Sequence, residues 1–288
     1  MTPRTGTSCI ACGAQAWTPL YTALVRCGEC GFIRAAEIPT AAALIRLYGA
    51  GYFSGEEYAD YLGDAPAHVQ NFRRRLARIT QVAGPLESLY EIGCAYGLWL
   101  QVAQAQGLRV AGIDITPDGV RHARAALHLD AMQGEFADAA LAPGAWQAFC
   151  MWDTIEHLPH PELHLAKITA LLPAGGWFFA TTGDIGAPRA QREGERWRMI
   201  HPPTHLQYFS RDSITRVLAR HGLVVRHIES TAMCRSVYGV VEGLKIFGSG
   251  PARIAARVAS AVLPAALTRN VRFTVDLGDI MLVCAQKA

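Results

Sequence analysis

What this sequence lacks narrows it first. It has no uninterrupted apolar run of about 18 residues, the length at which a membrane-spanning helix becomes a candidate, and no apolar signal region precedes Cys9. A cytoplasmic protein is the expectation. Charge of one sign is also scarce: a net +3 over 288 residues is too little for a nucleic-acid footprint across the whole chain. The dinucleotide pattern G-x-G-x-x-G is absent too, because the second and third glycines it needs are Ala95 and Leu98, which disfavours NAD. With 51% hydrophobic and 18% charged residues, the chain can bury a full α/β core and carry one small extra domain.

What is present centres on Leu89 to Gly97 (LYEIGCAYG), a short apolar run ending in glycines, followed by a helical stretch from Leu98 to Gln106. This reads as strand, tight turn and helix N-terminus. Gly93 and Gly97 carry no Cβ and let the backbone approach a ligand, while free N–H groups at the helix start attract an anion. A second strand, Leu108 to Ile113, ends in Asp114, about 20 residues after the first glycine, where a doubly wound sheet places an acid that accepts from a ribose diol.

Cys9-Ile-Ala-Cys-Gly13 and Cys27-Gly-Glu-Cys-Gly31 are two C-x-x-C-G knuckles. Such pairs aim two sulfurs each at one tetrahedral ion, with the glycine permitting the turn. Cys9, Cys12, Cys27 and Cys30 would close the shell of a structural Zn2+, stabilising a segment too short for its own core. Two disulfides are the alternative, which a reducing cytosol disfavours. Cys94, Cys150, Cys234 and Cys284 show no pairing pattern and read as inert thiols.

Four stretches in order, Glu91-x-Gly-Cys-x-x-Gly97, Gly112-Ile-Asp114, Asp153-Thr-Ile-Glu-His-Leu-Pro-His-Pro161 and Leu171-Leu-Pro-Ala-Gly-Gly176, resemble the class I S-adenosylmethionine-dependent methyltransferases. The likeness is to the branch whose fourth motif reads D-x-I-E-H-L-x-x-P, and Ala95 departs from that family's usual Gly. The resemblance implies an α/β, Rossmann-like fold: a mostly parallel seven-stranded sheet with an antiparallel last strand, here preceded by a small zinc ribbon. The expected division is a ribbon at 1–38, a helical linker and lid region at 39–84, and the methyltransferase domain at 85–288, with acceptor-side insertions at 183–209 and 231–272.

For the donor, S-adenosyl-L-methionine, the expectation is that the aminocarboxyl group meets the amides of the turn at Gly93, Cys94, Ala95 and Gly97, where a helix start favours a carboxylate. Glu91 either orients this turn or meets the donor's ammonium. Asp114 takes the ribose, Ile115 flanks the adenine, and Glu135 and Phe136 lie beside it by resemblance. Asp153 arrives from the fourth strand of the sheet. A Tyr52-Phe53 pair ahead of the sheet either packs elements together or covers the pocket.

Methyl transfer from a sulfonium is an in-line displacement, so the enzyme aligns the acceptor and removes a proton where needed. His157 is one candidate base, and His205 another, within Pro203-Thr-His-Leu-Gln-Tyr-Phe-Ser210, which resembles a P-x-H-L-x-x-F-S segment of the same branch. Structural histidines would look the same. On the helix that carries Val69, Phe72, Leu76, Ile79 and Ala83 on one face, Arg73, Arg74, Arg75 and Arg78 are expected elsewhere, on a solvated surface. Arginines beside apolar residues in 235–272 allow a peripheral membrane-surface contact or a dimer. The leading reading is a small-molecule O-methyltransferase of a biosynthetic or tailoring pathway. The alternatives are an RNA methyltransferase guided by the ribbon, against which stands the lack of N-P-P-Y and Pro-Cys motifs, and an inactive zinc-ribbon binding module.

Overall fold

The computed structural model describes residues 8–47 and 59–288. Tyr52 and Phe53 lie outside the described residues. The chain starts with three short antiparallel strands, β1 (Trp17–Leu20), β2 (Leu24–Cys27) and β3 (Ile33–Ala35). The two cysteine knuckles sit ahead of β1 and at the end of β2. Gly13 and Gly31 take φ of 84° and 74°, and their amides close the turns onto the carbonyls of Cys9 and Cys27. This left-handed backbone is why a glycine follows each knuckle.

Helix α1 (Ala41–Leu47) is followed by α2 (Ala65–Ala83), which starts with a proline in its first turn and stops at Gly84. Phe72, Leu76 and Ile79 bury their side chains as the three-and-four spacing requires. One arginine departs from expectation: Arg75 is only 4% exposed and points inward. It lies three residues after Phe72 and four before Ile79, on the apolar face itself.

The main sheet is built from β4 (Ser88–Ile92), α3 (Leu98–Gln104), β5 (Arg109–Asp114), α4 (Pro117–Ala125), β6 (Ala131–Gln133), β7 (Ala148–Trp152), α5 (Pro161–Leu171) and β8 (Trp177–Gly183). Every residue of β4, β7 and β8 is buried, as strands covered by helices on both faces demand. From β4 the chain runs outward through β5 and β6 and returns to β7 on the other side. The carboxyl ends of β4 and β7 therefore face a switch point, the place where ligands bind in such sheets.

After β8 come α6 (Pro188–Glu193) and β9 (Gln207–Tyr208), then α7 (Arg211–Arg220), whose capping box pairs Ser210 and Ser213. The strand β9 pairs antiparallel with β3, Tyr208 opposite Ile33, so the segment after β8 supplies the fourth strand of the ribbon's sheet. Phe32 packs tilted on Phe209 at 5.6 Å, and Cys9, Cys27 and Phe32 share one buried cluster with Tyr90, Phe149 and Phe178. The ribbon borrows the core of the sheet. Burying Phe32 alone contributes about 1.5–3 kcal/mol.

The chain continues with β10 (Leu223–Ser230), β11 (Met233–Ser236), α8 (Val237–Phe247), α9 (Gly250–Val262), α10 (Ala265–Asn270), β12 (Arg272–Val275) and β13 (Ile280–Lys287). Strand β13 inserts antiparallel between β8 and β10, giving the order β10-β13-β8-β7-β4-β5-β6, as expected. The insertion holds three helices and a two-stranded β11–β12 pair. It packs on α2: the Asn71 amide exchanges hydrogen bonds of 3.0 and 2.6 Å with the backbone of Cys234 in β11. Among the described residues no helix is long and apolar enough to cross a membrane.

Candidate active site

The turn after β4 is held from within. Gly93 and Cys94 both donate to the Ile113 carbonyl, Gly97 donates to Cys94, and the Ala95 amide donates to Asp114 Oδ2 at 2.7 Å. The expectation that these amides wait for an anion is therefore corrected: the neighbouring strand and Asp114 already use them. Gly93 and Gly97 both have φ of 79°, and a Cβ would fall 2.6 Å from Thr154 Oγ1 at the first and 2.8 Å from Leu129 Cδ1 at the second. Ala95, with φ of 45°, takes the left-handed region without being glycine.

Asp114 also accepts from the Thr116 amide at 2.8 Å and the Thr116 hydroxyl at 2.5 Å. Burial pushes its carboxyl up, and the hydrogen bonds from Thr116 and Ala95 oppose this. A carboxylate offers about four lone-pair sites, and three are taken. One remains on Oδ2 for a ligand hydroxyl.

Glu91, Gly93, Cys94, Ala95, Asp114, Ile115, Glu135, Phe136, Asp153 and His157 all line one cavity of about 620 Å³, a size suited to a small ligand. Gly97 sits behind it against Ala123 and Leu129. Tyr61, Phe72, Trp152 and His164 also line it, and none of these was read as a site residue from the sequence. No described residue of 183–209 or 231–272 lines it. Those segments, expected on the acceptor side, hold the ribbon and cover α2.

Within the cavity, Glu91 Oε2 has no hydrogen-bond partner among the described residues, and burial followed by repulsion from Asp114 pushes its carboxyl well up. A cationic group in the cavity would reverse that. Glu135 is tied to His164 Nε2 at 2.7 Å, and this bond pulls its carboxyl down. Phe136 packs on Tyr90 and Phe149 and is as much core as cavity wall. Asp153, with φ of 50°, pairs with Arg75 at 2.9 Å and accepts from Thr181 at 2.9 Å. Burial pushes this carboxyl up, but the Arg75 guanidinium outweighs it and holds it low.

The two histidines singled out from the sequence meet. Their rings lie 4.6 Å apart, because Leu206 donates to the Glu156 carbonyl and docks the later segment on the turn after β7. His157 Nδ1 faces the Thr204 carbonyl at 2.9 Å; a carbonyl only accepts, so the proton is on Nδ1 and Nε2 keeps its lone pair. Burial pulls His157 down to about 4 and His205 well below its usual value, so both are neutral near pH 7. His157 lines the cavity; His205, 5% exposed, lies behind it. Beside them is Glu156, 2% exposed, whose carboxyl burial and then Asp153 push up to about 8, with the Thr182 side chain pulling the other way.

In the ribbon, Cys9 and Cys30 sulfurs are 3.5 Å apart and those of Cys12 and Cys27 3.6 Å, with all four within 4.8 Å of one another. Sulfurs at about 2.3 Å from a tetrahedral ion lie about 3.8 Å apart, so the set fits zinc with a slight adjustment. All eight cysteines are free thiols. Burial pushes the Cys9 and Cys30 thiols up; at Cys27 burial acts the same way, but the amides of Cys30 and Glu29 outweigh it and pull this thiol to about 7.

A switch-point cavity on a seven-stranded sheet whose last strand runs antiparallel defines the Rossmann-like methyltransferase class. A family model described as a methyltransferase domain matches residues 63–228, more than half of the chain, and the chain belongs to that family. The match begins at residue 63, two residues ahead of α2. A ubiquinone biosynthesis O-methyltransferase of Xanthomonas campestris pv. campestris is 29% identical over 123 residues, covering 41% of this chain and 52% of that protein. One of the same name from Thiobacillus denitrificans is 29% identical over 105 residues, covering 33% and 44%. The chain thus spans about half the length of the curated relatives it matches. In fold, a SAM-dependent methyltransferase from Archaeoglobus fulgidus superposes with a TM-score of 0.54 at 14% identity, covering 83% of this chain and all (100%) of that one. A geranyl diphosphate C-methyltransferase from Streptomyces coelicolor A3(2), solved with S-adenosyl-L-homocysteine, gives 0.51 at 16%, covering 75% and 76%.

Proposed function

We propose that this protein transfers the methyl group of S-adenosylmethionine to a hydroxyl of a small-molecule acceptor, as an O-methyltransferase of a biosynthetic or tailoring pathway. The observation that carries this reading is the single cavity joining the Asp114-braced turn to His157. The curated relatives, named as ubiquinone biosynthesis O-methyltransferases, support the oxygen acceptor. The donor's ribose binds the open site on Asp114, its ammonium neutralises Glu91, and the adenine lies between Ile115 and Phe136. Arg75 holds Asp153 in place at the cavity wall. His157 Nε2 accepts a hydrogen bond from the acceptor's hydroxyl and aligns its oxygen with the methyl carbon. Burial makes the imidazole a weak proton acceptor, so orientation outweighs base strength in its contribution.

The ribbon's four thiolates hold structural zinc, with no coordination position left for substrate. Exposed Ile254 (66%), Val258 (59%) and Val262 (73%) repeat every fourth residue on α9, beside Arg253 and Arg257. Six basic residues against Glu242 and Asp276 across 231–277 favour an anionic bilayer surface over a second copy carrying the same charge. Co-sedimentation with phosphatidylglycerol vesicles that is lost in Val258→Asp supports this contact; equal recovery of both proteins contradicts it.

The test of the activity is incubation of purified protein with methyl-labelled donor and a small-molecule extract. Label in a low-mass product as a methyl ether supports the reading. Label only in RNA, or none with donor bound, overturns it.

A further inference from the structure

A second cavity, of about 220 Å³, lies between the ribbon and the sheet. The ribbon supplies Arg34 and Trp17 to its wall, β9 supplies Gln207, and the turn into α5 supplies Pro159, His160 and Glu162. Pro159 and His160 line the main cavity as well, so the two spaces share part of a wall. The segment 183–209, which does not reach the main cavity, reaches this one through Gln207. Pairing of β3 with β9 sets Arg34 directly opposite Gln207, and residues so placed project from the same face of a sheet. Both are buried, at 8% and 3% exposure. The Arg34 guanidinium lies over the Trp17 ring at 4.5 Å, and its Nη1 donates to the Ala35 carbonyl at 2.9 Å. Gln207 faces the carbonyls of Leu158 and Pro159 at 3.1 and 3.3 Å; carbonyls only accept, so its NH2 end is turned to them. Its Oε1 is left buried with no hydrogen-bond partner among the described residues, and so is Glu162 Oε2, while Glu162 Oε1 lies 3.2 Å from His160 Nδ1. Buried acceptors of this kind call for a donor.

This wall selects its ligand by charge. A lone carboxylate would meet Arg34 but face Glu162 and leave Gln207 Oε1 unfilled. A lone ammonium would face the guanidinium, and an apolar group would satisfy none of the three. A group that carries both charges side by side satisfies all three with charge-assisted hydrogen bonds. We propose that the second cavity binds the aminocarboxylate end of the acceptor, an α-amino acid or a molecule that ends in one, with its carboxylate on Arg34 and its ammonium on Gln207 Oε1 and Glu162. The assignment deepens the methyl-transfer reading above and rests on it for calling the ligand an acceptor; the binding does not depend on it. The body of the acceptor passes the shared wall at Pro159 and His160, and its hydroxyl meets His157 in the role already given. The ribbon thereby selects substrate as well as sharing the core.

The probe is L-phenylalanine, titrated into the full-length protein and followed by calorimetry and by the side-chain N–H resonances of Arg34 and Trp17. The expected result is saturation at one equivalent with both resonances shifting, a readout that needs no variant to fold. N-acetyl-L-phenylalanine, which lacks the ammonium, and L-phenylalaninamide, which lacks the carboxylate, should each bind at least tenfold more weakly. Glu162→Gln should weaken L-phenylalanine tenfold or more and leave the N-acetyl compound unchanged; Arg34→Gln should weaken L-phenylalanine equally and leave the amide unchanged. A flat titration at tens of millimolar, equal affinity for the three compounds, or undiminished L-phenylalanine binding in either variant overturns the proposal. Donor binding is measured in parallel. L-Phenylalanine bound without donor affinity would leave the second cavity's assignment standing and defeat the methyl-transfer reading, whereas donor affinity with a flat L-phenylalanine titration would do the reverse.

Discussion

At Ala95 a side chain occupies backbone space that glycine fills at lower cost, with φ of 45°. Ala95→Gly is expected to relieve that strain and stabilise the protein by about 0.5–1 kcal/mol, net of the greater chain entropy of glycine, read as a rise in urea midpoint. An unchanged or lower midpoint would mean the turn tolerates alanine freely. Asp114 is bound to the turn as well as to the proposed ribose, so Asp114→Asn should lower donor affinity tenfold or more and the melting temperature together. His68, stacked on Tyr61, is pulled down to about 4, chiefly by burial and then by Arg235 and Arg75. Its unfolded form takes a proton near pH 6.5 while the folded form resists until about pH 4, so its contribution is full above pH 6.5 and declines as pH falls toward 4. Thermal melts over that interval should drop less steeply in His68→Gln than in wild type.

The helix α2 does more than cover the sheet. Arg75 lies between the rings of Phe72 and Trp152, at 5.5 and 5.4 Å, and ends on Asp153. Arg75→Ala should cost about 2 kcal/mol, below the range for a fully buried pair because Asp153 is partly open to the cavity, and should weaken donor binding as well. Equal affinity in the variant would reduce α2 to packing. The role was legible in spacing, since Arg75 falls on the face defined by Phe72, Leu76 and Ile79; the charge drew the reading to solvent. The strands β4, β5, β7 and β8 were legible because fully buried strands are short apolar runs bounded by glycine, proline or acid. The pair β11–β12 was not, because Met233–Ser236 and Arg272–Val275 are four residues each and far apart in the chain. Likewise β9, two residues long, gains its identity only from pairing with β3.

The molecule as a whole joins a ribbon and a methyltransferase sheet through one core. That union explains why the segment 184–209 is long: Trp197 and Arg198 anchor it on Asp279 at 2.9 and 2.8 Å, and its end pairs with the ribbon. Metal removal by a chelator should therefore lower the melting temperature of the entire protein in one transition, not unfold the ribbon alone; two separate transitions would show that the shared core is weak. Motif order gathered most of the proposed donor side of the cavity in the sequence, while Gly97 lies behind that wall. The meeting of Glu156 and His157 with His205 was hidden, since their contact depends on how a long segment folds back. The central claim is that the cavity between the Asp114-braced turn and His157 holds S-adenosylmethionine. Isothermal titration of the purified protein with that donor tests it most directly: the account predicts saturable binding at one equivalent, displaced by S-adenosylhomocysteine, and a flat titration would contradict it.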